Sequence, residues 1–175
     1  MAAQQLALER PEHTVQREEL AAVERMRGRM EALRQALGQA WTPTIKEQKM
    51  QAFQAALAEL VRVDFSLCRF IGGWQSVCVE RTAKGAVRRT EGLRPEDTDE
   101  RPVCWADFLA QLQALHMEEW RRRYVPERFG EVVMDGTQWT LQLSFGDGRR
   151  AVRFRGDNDF PYNFSQLLTA LGLHE

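Results

Sequence analysis

The feature that most constrains this chain is a strict alternation of apolar and polar residues over positions 138–155. A period of two is typical of strands with one buried face, because successive side chains point to opposite sides. An Asp-Gly pair at 147–148 divides the segment, and Asp-Gly favours a two-residue type I′ turn between antiparallel strands. The segment therefore predicts a β-hairpin with one apolar and one polar face.

The register of this hairpin follows from placing Asp-Gly at its tip. Leu141 then faces Phe154 on the apolar side, and a slip of one residue would bury Arg153, so the pairing is strongly constrained. Only Arg150, opposite Phe145, falls on the apolar side. There we expect its aliphatic stem to lie along the ring while its charged head reaches water.

Two helices are predicted before the sheet, in residues 1–60. Apolar residues spaced by three or four mark one face of a first helix that ends near Gly38. A second helix follows Pro43, and the short connection predicts that the two helices pack antiparallel as a hairpin. The apolar faces comprise Leu20, Val23, Met26, Met30, Leu33 and Leu37 in the first helix, and Ile45, Lys49, Phe53, Ala56, Leu57 and Leu60 in the second, where Lys49 is the one charged member.

The middle of the chain changes from helical to strand periodicity. Residues 61–67 alternate with period two, and 74–82 with 86–91 form a second hairpin whose register the apolar pattern leaves open. The acidic segment 93–102 contains two prolines and predicts a loop. A third helix begins near Val103, with an apolar face that contains Trp105, Phe108, Leu109, Leu112 and Leu115.

A fourth helix is predicted at the C-terminal end. Asn163 caps its first turn, and Gln166 three residues later completes a capping box. Phe164, Leu167, Leu168 and Leu171 supply a face that would cover the apolar side of the 138–155 hairpin, and Gly172 ends the helix.

These elements together predict an α+β fold. Residues 1–60 form an antiparallel helical hairpin with an N-terminal arm, and residues 61–175 form the sheet domain, which we expect to be one compact unit with the hairpin. The sheet has about four to six antiparallel strands, and two further helices cover one of its faces.

Composition excludes several classes of protein. The 175 residues include 24 Lys and Arg against 25 Asp and Glu, which gives a net charge of −1 and argues against a strongly basic nucleic-acid coat. No run approaches the ~20 apolar residues that a membrane helix needs. The N-terminal residues do not resemble a secretory signal, so we expect a cytoplasmic location and no membrane contact.

Catalytic and metal-binding patterns have little support in this sequence. Cys68, Cys78 and Cys104 have spacings unlike those of metal knuckles, and we expect buried, reduced thiols. A zinc site built from these cysteines and His116 is disfavoured, since no metal-ligand motif connects them. Turn-forming roles are favoured over cation binding for Asp135, Asp147, Asp157 and Asp159. We therefore predict no catalytic residue, no metal and no cofactor.

The polar face of the 138–155 hairpin is the strongest candidate for binding. Its arginines predict a flat basic patch, extended by the arginine run 121–123 and by Arg88 and Arg89, which suits an acidic protein surface or a nucleic-acid backbone. Two tryptophans outside the predicted core would serve as surface anchors. The partner-binding candidates are Arg149, Arg153, Arg155, Arg121, Arg122, Arg88, Trp74 and Trp120.

Residues 132–171 also resemble a known pattern. DGTQWTLQLSFGDG followed by RFRGDNDFPYNFSQLL is similar to the C-terminal part of an uncharacterised bacterial domain family, with DGxxWxLxLxF, a short Gly turn and GxNxFPxxFxxL. The resemblance implies a bacterial or phage origin. It rests on Asp135, Gly136, Trp139, Gly148, Gly156, Asn158, Phe160, Pro161 and Phe164.

Three hypotheses of function follow from these observations. The first is a non-catalytic bacterial or phage protein-binding module of accessory, immunity or inhibitor type that acts through surface contacts. The alternative is a nucleic-acid-associated accessory subunit that uses the arginine-rich sheet face. The third is a cation-dependent hydrolase that would depend on Asp157 and Asp159.

Overall fold

The structure is a computed structural model that describes residues 11–38, 42–69, 73–125 and 136–173. Short 3-10 turns precede β1, β4 and β5. The helices are α1 (Pro11–Leu37), α2 (Ile45–Ala56), α3 (Trp105–Ala114) and α4 (Phe164–Ala170). The strands are β1 (Leu60–Arg69), β2 (Gly73–Thr82), β3 (Gly85–Gly92), β4 (Asp99–Val103), β5 (Arg123–Tyr124), β6 (Gln138–Phe145) and β7 (Val152–Asp157).

The chain divides into two compact units, Met1–Thr44 and Ile45–Glu175. The predicted first helix is confirmed as α1, and Gly38 after it has φ +60°, the left-handed conformation that commonly ends a helix. The predicted second helix is confirmed as α2 and belongs to the sheet unit. The antiparallel packing of the two helices stays a prediction, because they belong to different units.

The α+β class is confirmed, but the sheet has seven strands rather than four to six, in the order β4-β3-β2-β1-β6-β7-β5. It is mixed, since β5 pairs with β7 in parallel. One additional strand, β4, comes from the segment predicted as an acidic loop, and it pairs with β3 at the edge of the sheet. Charged residues and Pro102 suit an edge strand, because they hinder pairing with a further strand.

The register predicted for the 138–155 hairpin is confirmed along the whole β6–β7 ladder. Leu141 pairs with Phe154, and Gln142 with Arg153. Trp139, Leu141 and Phe154 are at most 1% exposed, whereas Arg153 is exposed. The apolar face of the hairpin is therefore the core face.

The tip of this hairpin differs from the prediction. A type I′ turn needs positive φ at both central residues, and Gly148 has φ +80° while Asp147 does not adopt positive φ. The β6–β7 ladder ends at the pair Leu143–Val152, before the tip, whereas β6 continues to Phe145, which pairs with Leu60 of β1. The guanidinium of Arg149 lies 5.3 Å from the centre of the Phe145 ring, and the placement of the Arg150 stem along this ring stays a prediction.

The core lies on one face of the sheet, where α2, α3 and α4 contribute to a single cluster of buried side chains. The two helices predicted to cover one face of the sheet are α3 and α4, and both contribute buried side chains to this cluster. The largest fully buried side chains are Trp139, Phe65, Phe154, Leu57, Leu60, Leu67, Leu112, Met117, Leu141, Leu143, Leu167 and Leu171.

The motif residues have packing roles around Trp139. The indole of Trp139 crosses β7 at Gly156, where an added Cβ would lie 2.1 Å from indole Nε1, and the indole N–H donates to the carbonyl of Asp159 at 3.0 Å. The side chain of Asn158 fills the space beside Gly136 and accepts from the backbone N–H of Thr137 at 2.6 Å. Gly136 and Gly156 therefore leave room for the side chains of Asn158 and Trp139. Asp135, another residue of the resemblance, lies outside the described residues.

The predicted capping box at the start of α4 is wrong. Asn163 occupies the cap position, but its side chain makes no capping hydrogen bond. It is 2% exposed and accepts from indole Nε1 of Trp120 at 3.0 Å while its amide donates to the carbonyl of Leu115 at 2.7 Å. The side chain of Asn163 therefore binds buried groups of the segment after α3, and it is not free to cap α4 as the local spacing predicts.

The predicted end of α4 at Gly172 is confirmed. Gly172 has φ +70°, and its N–H donates to Thr169 while that of Leu173 donates to Leu168. This is the pair of hydrogen bonds that defines a Schellman motif, in which the backbone reverses out of the helix.

We expect Trp139→Ala to lower the free energy of unfolding by about 3–5 kcal/mol, because it leaves a cavity where the ring is fully buried. Thr140→Ala, on the neighbouring and exposed position, should change it by less than about 0.5 kcal/mol. Urea unfolding followed by far-UV circular dichroism measures both. Equal effects would contradict the assignment of the two faces.

We expect Asn163→Ala to cost about 2–4 kcal/mol, since it leaves the Trp120 indole N–H and the Leu115 carbonyl buried without partners. Gln166→Ala is the matched control, because Gln166 is exposed and no capping box forms. Its effect should stay within about 0.5 kcal/mol in the same unfolding assay. A large loss of unfolding free energy in the Gln166 variant would indicate that the capping box does form.

Candidate functional site

The face of the sheet opposite the core carries polar side chains from six strands, and we call it the outer face. Alternation along each strand places these side chains on the same side, and strand pairing aligns them in rows. One row runs from Arg89 through Cys78, Asp64 and Gln142 to Arg153. The outer face comprises Arg62, Asp64, Ser66, Cys68, Trp74, Ser76, Cys78, Glu80, Arg89, Glu91, Glu100, Gln138, Thr140, Gln142, Ser144, Arg153 and Arg155.

A chain of ion pairs crosses the outer face over β4, β3, β2 and β1. Arg89 contacts Glu100 at 2.7 Å and Glu80 at 3.2 Å. Arg62 contacts Asp64 at 2.7 Å and Glu80 at 3.9 Å. Each arginine thus lies between two carboxylates, and the three carboxylates outnumber the two arginines in this half of the face.

The pKa values of these arginines reflect the pairing. A hydrogen bond from Arg62 to Asp64 raises the pKa of the Arg62 guanidinium. Hydrogen bonds to Glu100, the larger effect, and to Glu80 raise the pKa of Arg89. All these side chains are exposed or half-buried, so the pairs contribute little to stability. Their consequence is for recognition, because a paired arginine offers less charge to a ligand.

The other half of the outer face, on β6 and β7, has a positive character. Arg153 donates from Nε and Nη2 to Oε1 of Gln142 at 3.2 and 2.6 Å. Arg155 lies opposite Thr140 and beside Arg123 of β5. Within the described residues neither Arg153 nor Arg155 forms an ion pair, so two exposed cations lie next to each other on β7.

The centre of the outer face is a shallow depression of about 560 Å³. Hydroxyl groups form part of its floor, where Ser66 and Thr140 are hydrogen-bonded to each other at 2.7 Å. Charged side chains surround it, with Arg62, Asp64, Arg89, Glu91 and Arg153 among its lining residues. This combination of hydroxyls, amides and charges of both signs is suited to polar contacts with another surface.

Cys78 is half-buried in this depression. Burial raises the pKa of the Cys78 thiol, and the carboxylate of Asp64 beside it raises it further. The expectation of buried thiols is wrong for Cys68 and Cys104, which are exposed. Cys68 lies near the end of β1, on the face opposite its buried neighbour Leu67, and Cys104 lies between β4 and α3.

Arg153 and Arg155 are the two predicted partner-binding residues that the strands bring together on the outer face. Arg149 is in the hairpin loop and is neutralised by Asp147, since its Nε donates to Oδ2 of Asp147 at 2.7 Å. This hydrogen bond raises the pKa of Arg149 and lowers that of Asp147. Arg121 is similarly engaged, with Asp159 at 3.2 Å.

Arg88 is on the core side of the sheet and does not extend the basic patch, although its neighbour Arg89 does lie on the outer face. Val79, which pairs with Arg88 from β2, is fully buried, so the Arg88 side chain lies on the core side as well. The Arg88 guanidinium packs against Gly172 and donates to the carbonyl of Leu171 at 3.4 Å. A cation at the C-terminus of α4 is favourable because the last carbonyls of a helix carry partial negative charge.

Trp120 faces the core, and Arg122, which is exposed, packs over aromatic rings at the edge of the core. The guanidinium of Arg122 lies 4.6 Å from the centre of the Phe154 ring, and burial lowers its pKa. Trp120 is 6% exposed and packs against Phe154 and Trp139, so the prediction of a surface anchor is wrong for it. The indole N–H, which needs a partner when buried, finds it in Asn163.

Trp74 is the predicted anchor that the structure leaves accessible. Its side chain is 38% exposed at the end of β2, opposite Cys68 and on the outer face. The sequence could have predicted the orientation of Trp74. Side chains alternate between the two faces of a strand, Val77 and Val79 point to the core, and Trp74 lies an odd number of residues from both, so it points to the opposite face.

The residues that sequence reasoning missed are the acidic members of the outer face. Glu80 and Glu100 oppose Arg89 only because β2, β3 and β4 are neighbours in one register. The turn that sets the β2–β3 register has two residues, with Thr82 opposite Gly85. The apolar pattern alone does not select this pairing.

No group of three or more His, Cys, Asp and Glu side chains is positioned to hold a metal within the part of the chain that the structure describes. The carboxylate of Asp159 is engaged by Arg121. None of the described helices is long and apolar enough to cross a bilayer.

No protein-family model, curated protein or solved structure matches this chain.

We expect Cys78 to be alkylated at least about fivefold more slowly than Cys68 and Cys104 at pH 8.5. The reactive species is the thiolate, and a raised pKa together with partial burial reduces both its amount and its accessibility at Cys78. Mass spectrometry after timed iodoacetamide treatment of the native chain measures the three rates. A Cys78 that reacts as fast as the exposed cysteines would contradict this environment.

Proposed function

We propose that this chain is a non-catalytic protein-binding module of bacterial or phage origin, of accessory, immunity or inhibitor type, that contacts its partner through the outer face. The observation that carries the proposal is the arrangement of charge on this face. Paired arginines and carboxylates lie over β1 to β4, and the exposed cations Arg153 and Arg155 lie over β7. The resemblance of residues 132–171 to a bacterial family supports the origin.

A protein partner accounts for this arrangement better than a nucleic acid. Glu80, Glu91 and Glu100 lie among the arginines, and each would repel a phosphate backbone. A protein surface presents charges of both signs and can satisfy both halves of the face. Acidic residues of the partner protein would contact Arg153 and Arg155. Polar groups of the partner would fill the depression around Ser66 and Thr140.

The partner's contacts would be mainly polar, with one aromatic anchor. Trp74 lies at one end of the outer face, and a half-exposed tryptophan can bury a large apolar area while its N–H stays available for hydrogen bonding. Interfaces between separately folded proteins are enriched in aromatic residues and arginine and have a polar rim.

Charge reversal on β7 tests this proposal. Tagged chain is used to capture partners from its native host, and the partner obtained is then titrated against the purified wild-type chain and against Arg153→Glu/Arg155→Glu. We expect the double variant to bind at least about tenfold more weakly, because two attractive contacts become repulsive. Arg94→Glu is the control for reversing one exposed arginine, since Arg94 lies in the loop before β4 and is not a member of the outer face.

Three outcomes would overturn the proposal. Equal loss in the Arg94 variant would show a general charge effect. Binding of DNA or RNA that weakens steeply with salt and disappears in the double variant would favour the nucleic-acid alternative. Turnover of a substrate by the purified chain, abolished by Asp157→Asn or Asp159→Asn, would favour a hydrolase.

A further inference from the structure

A row of side chains across the outer face has hydroxyl groups in its middle and opposite charges at its ends. Paired residues on neighbouring strands point to the same side of a sheet, so strand pairing aligns one residue each from β3, β2, β1, β6 and β7. The row runs from Glu91 through Ser76, Ser66 and Thr140 to Arg155. We call its central members, Ser76, Ser66 and Thr140, the hydroxyl row.

The hydroxyl row lies on the floor of the depression in the outer face. All its members line the depression, whose lining residues come from β3, β2, β1, β6 and β7. The neighbouring row on one side runs from Arg89 to Arg153, and the one on the other side contains Trp74, Cys68 and Gln138. The depression therefore extends across the strands, with short side chains between rows that contain longer ones.

The dimensions of the row suit an extended polypeptide. The Cα atoms of Glu91 and Arg155 are separated by four strand spacings of about 4.8 Å, or roughly 19 Å. About six residues of extended chain, at about 3.3 Å each, cover this distance. Neighbouring rows are about 7 Å away along the strands, whereas an α-helix with its side chains is about 10–12 Å wide. A helix would therefore rest on the neighbouring rows, and an extended chain can reach the hydroxyls.

The hydroxyls are suited to the backbone of such a chain. A hydroxyl can both donate and accept a hydrogen bond, and a peptide backbone carries N–H donors and C=O acceptors. The hydroxyls of Ser66 and Thr140 are hydrogen-bonded to each other at 2.7 Å, and either can be the donor. One of the two hydrogens is used in this bond, so the other remains for an acceptor above the sheet. The pair can therefore adapt to a donor or an acceptor of the bound chain.

The acidic end of the row is available to a cation. Glu91 is exposed on β3, and it forms no ion pair within the part of the chain that the structure describes. Arg89, two residues earlier on the same side of β3, is held by Glu80 and Glu100 at 3.2 and 2.7 Å. Glu91 therefore offers its charge to a basic group that lies over the β3 end of the row.

The basic end of the row is available to an anion. Arg155 is exposed, and Arg123, its partner on β5, is a second exposed arginine. Like Arg155, Arg123 forms no ion pair with the residues that the structure describes. The next acid along β7 is Asp157, which belongs to the neighbouring row and accepts from the amide of Asn158 at 3.4 Å. The two arginines therefore favour a carboxylate over the β7 end of the row.

Other occupants fit the row less well. A single nucleic-acid strand carries a negative charge at every nucleotide, so a strand that follows the row would place phosphates over Glu91. A peptide that adds a strand to a sheet binds at the sheet edge and runs along the strands, whereas this row crosses them. A protein segment with one acidic and one basic end has neither disadvantage.

We propose that the hydroxyl row binds an extended segment of the partner protein that lies across the strands, with an acidic residue over Arg155 and a basic residue over Glu91. This inference rests on the proposed function, because it names the part of the partner that enters the outer face. The backbone of the segment contacts the hydroxyl row. The opposite charges at the two ends determine the direction in which the segment lies.

A designed peptide tests the inference with the full-length chain. It has blocked termini, lysine at one end, two glutamates at the other, and serine, threonine and glycine between them. A control peptide has the same composition, but its charged residues are adjacent in the middle. Titrations followed by ¹H–¹⁵N NMR measure both affinities and locate the contacts. We expect shifts at the amides of Ser66, Ser76 and Thr140, and at least about fivefold tighter binding of the first peptide.

A nitroxide amino acid beside the lysine reports the direction of the bound peptide. It should broaden the NMR signals around Glu91 and spare those around Arg155. Glu91→Lys and Arg155→Glu should each weaken the peptide at least about threefold. In the double variant the charges of the row are exchanged, so the broadening should move to the β7 end.

Arg81→Glu is the control for reversing one charge. Arg81 is exposed on β2 but lies on the other side of the sheet, because its partner Ala86 on β3 is buried. This substitution should change the affinity for the peptide by less than about twofold.

Filling the floor of the depression tests the position of the segment. Ser66→Leu should weaken the peptide at least about tenfold, because the larger side chain occupies the space above the hydroxyl row. Ser144→Leu is the matched control, since Ser144 is also half-buried on the outer face but does not line the depression. The two variants should unfold at similar urea concentrations, which separates loss of binding from loss of structure.

Three results would contradict this inference. These are equal affinity for the two peptides, broadening that stays on β3 in the double variant, and equal weakening by Ser66→Leu and Ser144→Leu. Shift changes on dilution of the chain alone, abolished by Ser66→Leu, would identify a second copy of the chain as the occupant.

The same measurements distinguish failure of this inference from failure of the proposed function. A captured partner whose binding depends on Arg153 and Arg155, but which leaves the hydroxyl row unshifted, would contradict the inference and leave the proposed function intact. A partner and a peptide that both bind the Arg153→Glu/Arg155→Glu variant as tightly as the wild type would contradict both.

Discussion

The packing of Trp139 across β7 is the contact on which the sheet unit depends. Its indole occupies the space above Gly156 and donates to the Asp159 carbonyl, and so it joins β6 to the loop that leads into α4. The same ring contacts Trp120 and Tyr124 of the segment after α3 and Phe164 of α4. A single aromatic side chain thus connects the hairpin, the segment after α3 and the last helix.

This packing also determines the orientation of the outer face. Because β6 presents Trp139, Leu141 and Leu143 to the core, its intervening residues point away from it, and strand pairing extends this division to β1, β2, β3 and β7. The apolar side supplies stability, and the other side is open to polar groups. The proposed binding surface is therefore a consequence of the core and needs no separate element to hold it.

Charge on the outer face is governed by neighbours in the sheet rather than by the number of arginines. Arg62 lies beside Asp64 of its own strand and Glu80 of β2, and Arg89 lies beside Glu80 and Glu100 of the two adjacent strands. Arg153 and Arg155 lie beside an amide and a hydroxyl. The chain as a whole has a net charge of −1. A basic region arises only where the pairing of strands places arginines away from acids, and this makes the β7 side the best candidate for an acidic partner.

Local patterns in the sequence were sufficient to predict the helices, the β6–β7 register and the end of α4 at Gly172. Period-two alternation, helical spacing and a glycine after a helix act over a few residues, so each can be interpreted without knowing the rest of the chain. Only the tertiary structure decided that Arg88 faces the core, that Asn163 binds Trp120 and Leu115, and that residues 99–103 become an edge strand. These outcomes depend on which distant segment lies beside each residue, because buried polar groups bind the partners that the fold brings to them and the local pattern does not name those partners.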